Sequence, residues 1–266
     1  MRTVVIQSYR TTRVEPWIQR CMQSVREWAH ARGYAYEFVN DALFDFLPAA
    51  IRDEPAAPLL PKTDIARLGL LADRLANAYE TAIWIDADVL VFDPSALFIP
   101  PASGAMLCHE IWTSLDSEDQ VVHRRGINNA LMVFERGHPL LGFLRYAAIE
   151  LYHHGEPVTM SPTKLGTTLL SKLGRVVPLR LHTQVACLSP MLVSAACHGH
   201  HPEWLQAHAQ QHGHRFAAAN LCRSLLTDPT LPTRHAGDLD EDQMQQFVEQ
   251  LIATRGHILR GEALIA

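Results

Sequence analysis

The chain of 266 residues is 48% hydrophobic and 19% charged, with a formal net charge of −5 at neutral pH. That balance supports a sizeable buried core, excludes a disordered chain, and carries no electrostatic footprint for nucleic-acid binding. Five cysteines, an odd number without paired spacing, read as reduced thiols of a cytosolic protein rather than a disulfide framework.

Thr3 to Ser8 (TVVIQS) predicts a buried first strand. The polar segment Gln7 to Thr12, which overlaps the strand end and includes Ser8 and Tyr9, is then the first strand-to-helix loop, where α/β folds place nucleotide contacts. Pro16 suits a first helical turn; Trp17, Cys21, Val25 and Trp28 recur at helical spacing, and Gly33 stops them. Tyr34 to Val39 alternates and is rich in aromatics, so strand, helix and strand form a parallel βαβ unit. Trp17, Trp28, Tyr34 and Tyr36 belong to its core.

Ala42 to Leu60 carries three prolines and reads as an irregular connection. After Pro61, KTDIARLGLLADRLANAY places Ile65, Leu68, Leu71, Ala72 and Leu75 on one helical face, with Thr63 as cap and Asp64 in the first turn. Asp64 and Arg67, three apart, share a face, either as an ordinary surface ion pair or as part of a cleft.

The stretch YETAIWIDADVLVFDP, residues 79–94, is the centre of the chain. Ala82 to Ile85 is long enough for a buried strand and too short for a core helix. Asp86 and Asp88 stand at its C-terminal end, before a second apolar run from Val89 to Phe92. Carboxylates in such a setting need a compensating charge, and a divalent cation is the simplest one. Strand ends of this kind are also where open α/β sheets bind ligands.

Leu107 to Trp112 predicts a further strand, followed by a polar segment from Ser114 to Arg125. His109 and Glu110 are catalytic candidates by residue type, but a satisfied strand-end histidine is the preferred reading. Gly126 to Leu141 (GINNALMVFERGHPLL) gives a loop, a strand from Ala130 to Phe134, a turn and then a helix to about Tyr152. Asn128 and Asn129 are either turn formers or amide donors to a ligand. Val176 to Leu179 and Cys187 to Leu192 read as later strands. His198, His200, His201, His208, His212 and His214 include one pair four apart, but no partner completes a zinc pattern. They read as solvent-exposed. Asp238 to Arg260 reads as a polar linker and a helix with Met244, Phe247, Val248, Leu251 and Ile252 inward. No run approaches membrane-spanning length and no signal peptide precedes the first strand. The expected setting is cytoplasmic, with peripheral contact at the inner membrane face left open.

KTDIAR (residues 62–67) followed a helix length later by IWIDAD (residues 83–88) resembles a known pair in order and approximate spacing. The pair is the Lys/Ser-x-Asp-x-x-Arg helix and apolar Asp-x-Asp strand of glycosyltransferases of the sugar-binding-region, or DXD, group with the type A fold. Its capsular-polysaccharide, Och1-like and glycogenin-like members are the relatives it suggests. The resemblance implies an α/β, Rossmann-type domain over residues 1–235, with a mixed, mainly parallel central sheet flanked by helices. Residues 236–266 would be a helical C-terminal extension packed on it. The implied activity moves a sugar from a UDP-linked nucleotide diphosphate donor to a saccharide, lipid or protein acceptor, with retention of configuration and with Mn2+ or Mg2+. Asp86 and Asp88 would hold the ion, with Asn220 as third ligand. Gln7, Ser8, Tyr9, Asp64, Arg67, Asp86, Asn128 and Asn129 would bind the donor, and Thr167, within SPTKLGTTLLSKLG, would stand beside the acceptor cleft. No nucleophile is identified.

The chain also departs from that group. It has Ala78-Tyr79-Glu80 where many members have Gly-Gly, and no tryptophan follows Asn220 closely. Two rivals stay open. A haloacid-dehalogenase-type phosphatase would use Asp86 as nucleophile and Asp88 as acid/base, with Lys164 and the acidic run from Gly237 to Asp240 in support. A non-catalytic protein would bind the nucleotide sugar without turnover.

Overall fold

The computed structural model describes residues 2–54, 58–156, 159–226 and 239–260. Its element order begins with β1 (Thr3–Ser8), α1 (Pro16–Ala31) and β2 (Ala35–Val39), the predicted βαβ unit. A 3-10 turn (Asp41–Phe46) and the short α2 (Ala49–Arg52) lead to α3 (Leu59–Asn77), β3 (Thr81–Ile85) and β4 (Val89–Val91). Then come β5 (Ala105–Leu115), β6 (Val121–Glu135), α4 (Pro139–His153), a π-helical turn (Lys164–Thr168) and α5 (Leu169–Leu173). Two short strands, β7 (Leu181–His182) and β8 (Val185–Cys187), precede α6 (Pro190–His198) and α7 (Pro202–His212). The chain continues with β9 (Ala218–Asn220), α8 (Arg223–Leu226) and α9 (Glu241–Ala253).

Six strands form a mixed sheet in the order β2-β1-β3-β6-β5-β7. β1 runs parallel to β2 and β3, and β7 parallel to β5, whereas β6 is antiparallel to both β3 and β5. A second sheet, β4-β9-β8, takes over where β3 ends. Both faces of the central strands are covered, which explains their unbroken apolar runs. Val4, Ile6, Ala82 and Trp84 face α3 and α4, in one cluster with Leu68, Leu71 and Leu144. Val5, Ile83 and Ile85 face the other way, against Val25, Trp28 and Ala29 of α1. All five residues of β3 are buried, each large one contributing roughly 1.5–3 kcal/mol of hydrophobic stabilisation.

Several boundaries differ from the sequence reading. α3 starts at Leu59, because Pro61 falls in the first turn, where its missing N–H is not needed. Thr63 is therefore not a cap; its hydroxyl donates to the Leu59 carbonyl (3.0 Å), and Asp64 lies beyond the first turn. Gly69 permits the 3-10 turn to approach this helix, since a Cβ there would lie 2.5 Å from the Phe46 carbonyl oxygen. The polar segment from Ser114 to Arg125 belongs to a long β5–β6 hairpin, turned at Asp116, whose Oδ1 accepts from the Glu118 and Gln120 N–H groups (both 2.9 Å). Val176 to Leu179 forms no strand, and Val176 is 79% exposed. Cys187 to Leu192 is split: β8 ends at Cys187, and Pro190 opens α6 with its fixed φ.

The histidines are corrected in part. His198, His200, His201 and His214 are exposed, but His208 and His212 are 0% and 4% exposed. They continue the inner stripe of α7 that begins with Leu205, at helical spacing, and that stripe lies on β5. His109, expected to be satisfied at a strand end, is mid-strand in β5 with an unpartnered Nδ1. At the other end of the chain, Asp240 and Gln243 form a capping box on α9. The inward face of that helix (Met244, Phe247, Val248 and Leu251) packs with Trp17, Ile18 and Cys21 of α1. Residues 227–238, where the expected domain boundary and part of the Gly237–Asp240 run fall, lie outside the described residues.

Candidate functional site

Asp86-Ala87-Asp88 is the link between β3 and β4, so it stands where the chain passes from the larger sheet to the smaller. Its backbone is pinned from three sides. The Asp86 N–H donates to the Ala130 carbonyl of β6 (2.9 Å), and the Val89 N–H closes a turn on the Asp86 carbonyl (3.1 Å). Gln7 of β1 donates Nε2 to that same carbonyl (3.1 Å), and Leu221 N–H donates to the Asp88 carbonyl (3.1 Å). Gln7 also accepts from the Tyr36 hydroxyl (3.0 Å) and is 0% exposed. Both ends of the Gln7 amide are thus engaged inside the protein, holding the link, rather than turned toward a donor as expected.

Arg67 joins α3 to this link. Its Nη1 lies 2.9 Å from Asp86 Oδ1 and 3.3 Å from the Asn129 carbonyl oxygen, and its Nη2 lies 3.4 Å from Asp64 Oδ1. The guanidinium stands 4.9 Å from the centre of the Trp84 ring, and the Trp84 indole N–H donates to Asp86 Oδ1 (2.6 Å). Asn129 Nδ2 donates to Asp64 Oδ1 (2.8 Å). Asp64 and Arg67 are buried, so this is not a surface ion pair. Burial pushes the Asp64 carboxyl up to about 6, against the pull of Arg67 and the Asn129 amide.

Asp88 is tied to the opposite wall. Its Oδ2 accepts from the Arg223 backbone N–H (2.8 Å), and the Arg223 guanidinium reaches Glu15 Oε1 (2.6 and 3.1 Å). Glu15 also accepts from the Tyr9 hydroxyl (2.9 Å) and pairs with Arg10 (2.9 Å). Burial opposes the Glu15 charge, but hydrogen bonds from backbone, Arg223 and Tyr9 outweigh it and bring the carboxyl down to about 2. The Tyr9 phenol moves up to about 12, through burial and its bond to Glu15. Ser8, half-buried, ends β1 opposite Val39. Glu15, Trp84 and Arg223 are site residues that sequence reasoning missed.

The remaining candidates divide. Asn129 is in the network, whereas Asn128 turns the other way: it is 3% exposed, and its Oδ1 accepts from the Ala130 N–H (3.1 Å). Asn220, on β9, pairs in register with Val89 next to Asp88. Its Oδ1 accepts from the Cys222 N–H (3.0 Å), closing a turn within its own loop. Thr167 is half-buried in the π-helical turn. That turn meets the network at Gly166, where a Cβ would stand 2.6 Å from Asn129 Nδ2 and 3.0 Å from Asp64 Oδ2. Lys164, the lysine a phosphatase would need, is exposed on the same turn.

The donor set fits a hard divalent ion. Protein donors engage Asp86 Oδ1 and Asp88 Oδ2, which leaves one oxygen of each carboxylate for a cation. Burial, then the charge of Asp86, push the Asp88 carboxyl upward, a strain that a bound cation relieves. Among the described residues no three His, Cys, Asp or Glu side chains form a ready metal centre. Two carboxylates completed by substrate phosphates and water is the mode in which Mg2+ is ordinarily held.

No protein-family profile matches the chain, and no curated protein matches it. Solved structures do. A glycosyltransferase involved in glycosylation of the major capsid of PBCV-1 is 10% identical, with a TM-score of 0.51 over 94% of this chain and 100% of that one. Mouse xyloside xylosyltransferase 1, in its apo form, is 12% identical over 84% of this chain and 98% of its own, with a TM-score of 0.43. The glycosyltransferase GlyE of Streptococcus pneumoniae TIGR4 is 10% identical over 96% of this chain and 64% of its own, with a TM-score of 0.41. The first of these likenesses shows the fold: a mixed α/β arrangement with a mostly parallel central sheet between helices, as in type A glycosyltransferases. Among the described residues no helix is long and apolar enough to cross a membrane.

Proposed function

We propose that the protein is a metal-dependent glycosyltransferase that takes a sugar from a UDP-linked donor, with Asp86 and Asp88 as the residues that hold the ion. One observation carries this reading. Two carboxylates stand at the C-terminal end of a central parallel strand, with a buried arginine fork on one side and a backbone-anchored loop on the other. A diphosphate leaving group gathers negative charge as the glycosidic bond breaks, and a divalent ion supplies Lewis-acid stabilisation of that charge.

The chain's own residues do the positioning. Arg67 fixes the orientation of Asp86 and offers a fixed positive charge beside the donor. Asp64 and Asn129, locked to each other, present a carboxylate and an amide toward sugar hydroxyls, and the turn at Gly166 presses close against them. Ser8 and Tyr9 stand at the end of β1, beside the same strand end, where the nucleoside would lie. Asn220 is the candidate for a further ligand if its amide turns away from Cys222. The acceptor is a saccharide, lipid or protein, approaching beside Thr167, and the configuration is retained. The resemblance to capsular-polysaccharide, Och1-like and glycogenin-like enzymes supports these details.

Calorimetry with UDP and Mn2+ tests the site. The wild-type protein should bind UDP in a Mn2+-dependent way and Asp88→Ala should not; equal binding by both would refute it. A second reading, binding without turnover, has its own support, because no tryptophan follows Asn220 closely and Asn220 Oδ1 is already engaged by the Cys222 N–H. Hydrolysis of any UDP-sugar by the wild-type protein would remove it.

A further inference from the structure

At the β7 edge of the six-stranded sheet, cationic charge and exposed apolar surface coincide. Residues 136–149 and 159–182 carry six Lys and Arg and not one Asp or Glu, in a chain whose net charge is −5. The two segments meet in the fold. The start of α4 and the turn after α5 line one cavity of about 510 Å³, with Leu140 and Phe143 from the first and Val177, Pro178 and Arg180 from the second. Large apolar groups stand in water around it: Phe143 is 49%, Tyr146 64%, Val176 79% and Val177 41% exposed. Single exposed apolar residues need no explanation, but a cluster of them rimmed by charge marks an interaction surface.

The backbone holds this surface out. Gly174 ends α5 against β6, where a Cβ would stand 2.5 Å from Ile127 Cδ1. The Val176 and Val177 N–H groups both donate to the Leu173 carbonyl (3.0 and 2.9 Å), and the Leu107 N–H of β5 donates to the Arg180 carbonyl (3.1 Å). A turn tied at both ends thus carries Val176, Val177 and Pro178 at its tip. Lys172 and Arg175 precede that tip and Arg180 follows it, all exposed, and the exposed Arg145 stands beside Tyr146 on α4. Arg180 Nη1 donates to the Ser103 carbonyl (3.1 Å), and among the described residues none of these four cations has a carboxylate partner.

We infer that this face docks on an anionic lipid bilayer, with the Val176–Pro178 tip and the Phe143/Tyr146 flank of α4 at the headgroup–acyl boundary and the four cations among the phosphates. Apolar groups at the centre with long cationic side chains around them is the distribution that a lipid–water interface selects. Tyrosine, with an apolar ring and a polar tip, suits the same depth. Other occupants fit less of the surface. A second copy of the chain would bring like charges together across the contact. A nucleic acid would engage the cations but has no use for the aliphatic Val176 and Val177, which offer its bases no stacking partner. An acidic peptide seated in the cavity would leave Val176 and Tyr146 uncovered, because neither lines it.

The test is co-sedimentation of the full-length protein with vesicles of phosphatidylcholine, pure or mixed with phosphatidylglycerol, in the absence of nucleotide and metal. The protein should pellet with the mixed vesicles only, and less so as salt rises. A cation near an anionic surface contributes about fivefold in affinity, so Lys172→Glu/Arg175→Glu should bind at least about 25-fold more weakly. Val176→Ser/Val177→Ser should lose about tenfold and keep the salt dependence. Both variants should melt as the wild type does, since the altered groups are exposed; if the valine pair does not fold, Val176→Ser alone takes its place. Phe38→Ser, on β2 at the opposite edge of the sheet, and Asp88→Ala, at the proposed donor site, should pellet like the wild type. Failure to pellet with the mixed vesicles overturns the inference. So does equal binding to pure phosphatidylcholine, full binding by either patch variant, or loss in Phe38→Ser or Asp88→Ala. Binding of soluble heparin with none of vesicles would assign the face to a soluble polyanion and overturn it equally.

Discussion

Removing Arg67 should expose how the candidate site is balanced. Its guanidinium compensates two carboxylates at once, with Nη1 2.9 Å from Asp86 and Nη2 3.4 Å from Asp64. Arg67→Met keeps most of the volume and deletes the charge. Breaking a buried pair by removing one partner costs about 3–5 kcal/mol, because a charge is left uncompensated. The cost depends on pH in a definite direction. The Asp64 carboxyl stands at about 6 in the fold against an ordinary 3.8. A group raised in the folded state stabilises it below its ordinary value and gives that contribution up as the pH rises through 6, here about 3 kcal/mol. Without Arg67 the Asp64 value rises further, so at pH 5 the group is neutral and little is lost through it, whereas at pH 8 its charge has no partner. Urea titrations at pH 5 and pH 8, followed by tryptophan fluorescence, should show the larger deficit at pH 8. Arg67→Met/Asp64→Asn should recover part of it there. A loss below about 1 kcal/mol at pH 8, or equal losses at the two pH values, would refute the reasoning.

Two further outcomes follow from particular contacts. Gly166→Ala places a methyl group 2.6 Å from Asn129 Nδ2 and 3.0 Å from Asp64 Oδ2; overpacking should cost about 1–3 kcal/mol and, by moving Asn129, weaken UDP-sugar binding by calorimetry more than it lowers stability. His208 is held down to about 4 from an ordinary 6.5, by burial first and by His123 second. In metal-free buffer its stabilising contribution is therefore complete above 6.5 and lost as the pH falls toward 4, about 3 kcal/mol over that window, and His208→Gln should flatten this acid limb in chemical denaturation.

What could be read in advance depended on range. The first βαβ unit and β3 are legible because apolar spacing alone fixes them, and Gly33, at φ +71°, marks the end of α1 as read. The start of α3 was misplaced because Pro61 looks like a boundary and is in fact a tolerated first-turn residue. The β5–β6 hairpin hid behind polar residues, since a ribbon can pair its backbone with much of its side-chain surface in water. At the candidate site, Asp64, Arg67, Asp86 and Asn129 were named from motif order, and the structure brings them together. Glu15 could not be, because its partner Arg223 is 208 residues away. Gln7 and Asn128 were named as ligand contacts, yet side-chain direction turned one onto a backbone carbonyl and the other inward. His208 and His212 did carry a signal, the helical spacing from Leu205, but their polarity argued for water.

Asp86 directly follows a strand of the six-stranded sheet, and Asp88 directly precedes one of the three-stranded sheet, with a single alanine between them. A ligand gripped by both would therefore act as a rivet across a seam in the architecture. Its binding energy would be felt as resistance to the two sheets parting, so protection of amides on β4 and β9 from solvent exchange should rise along with that on β3.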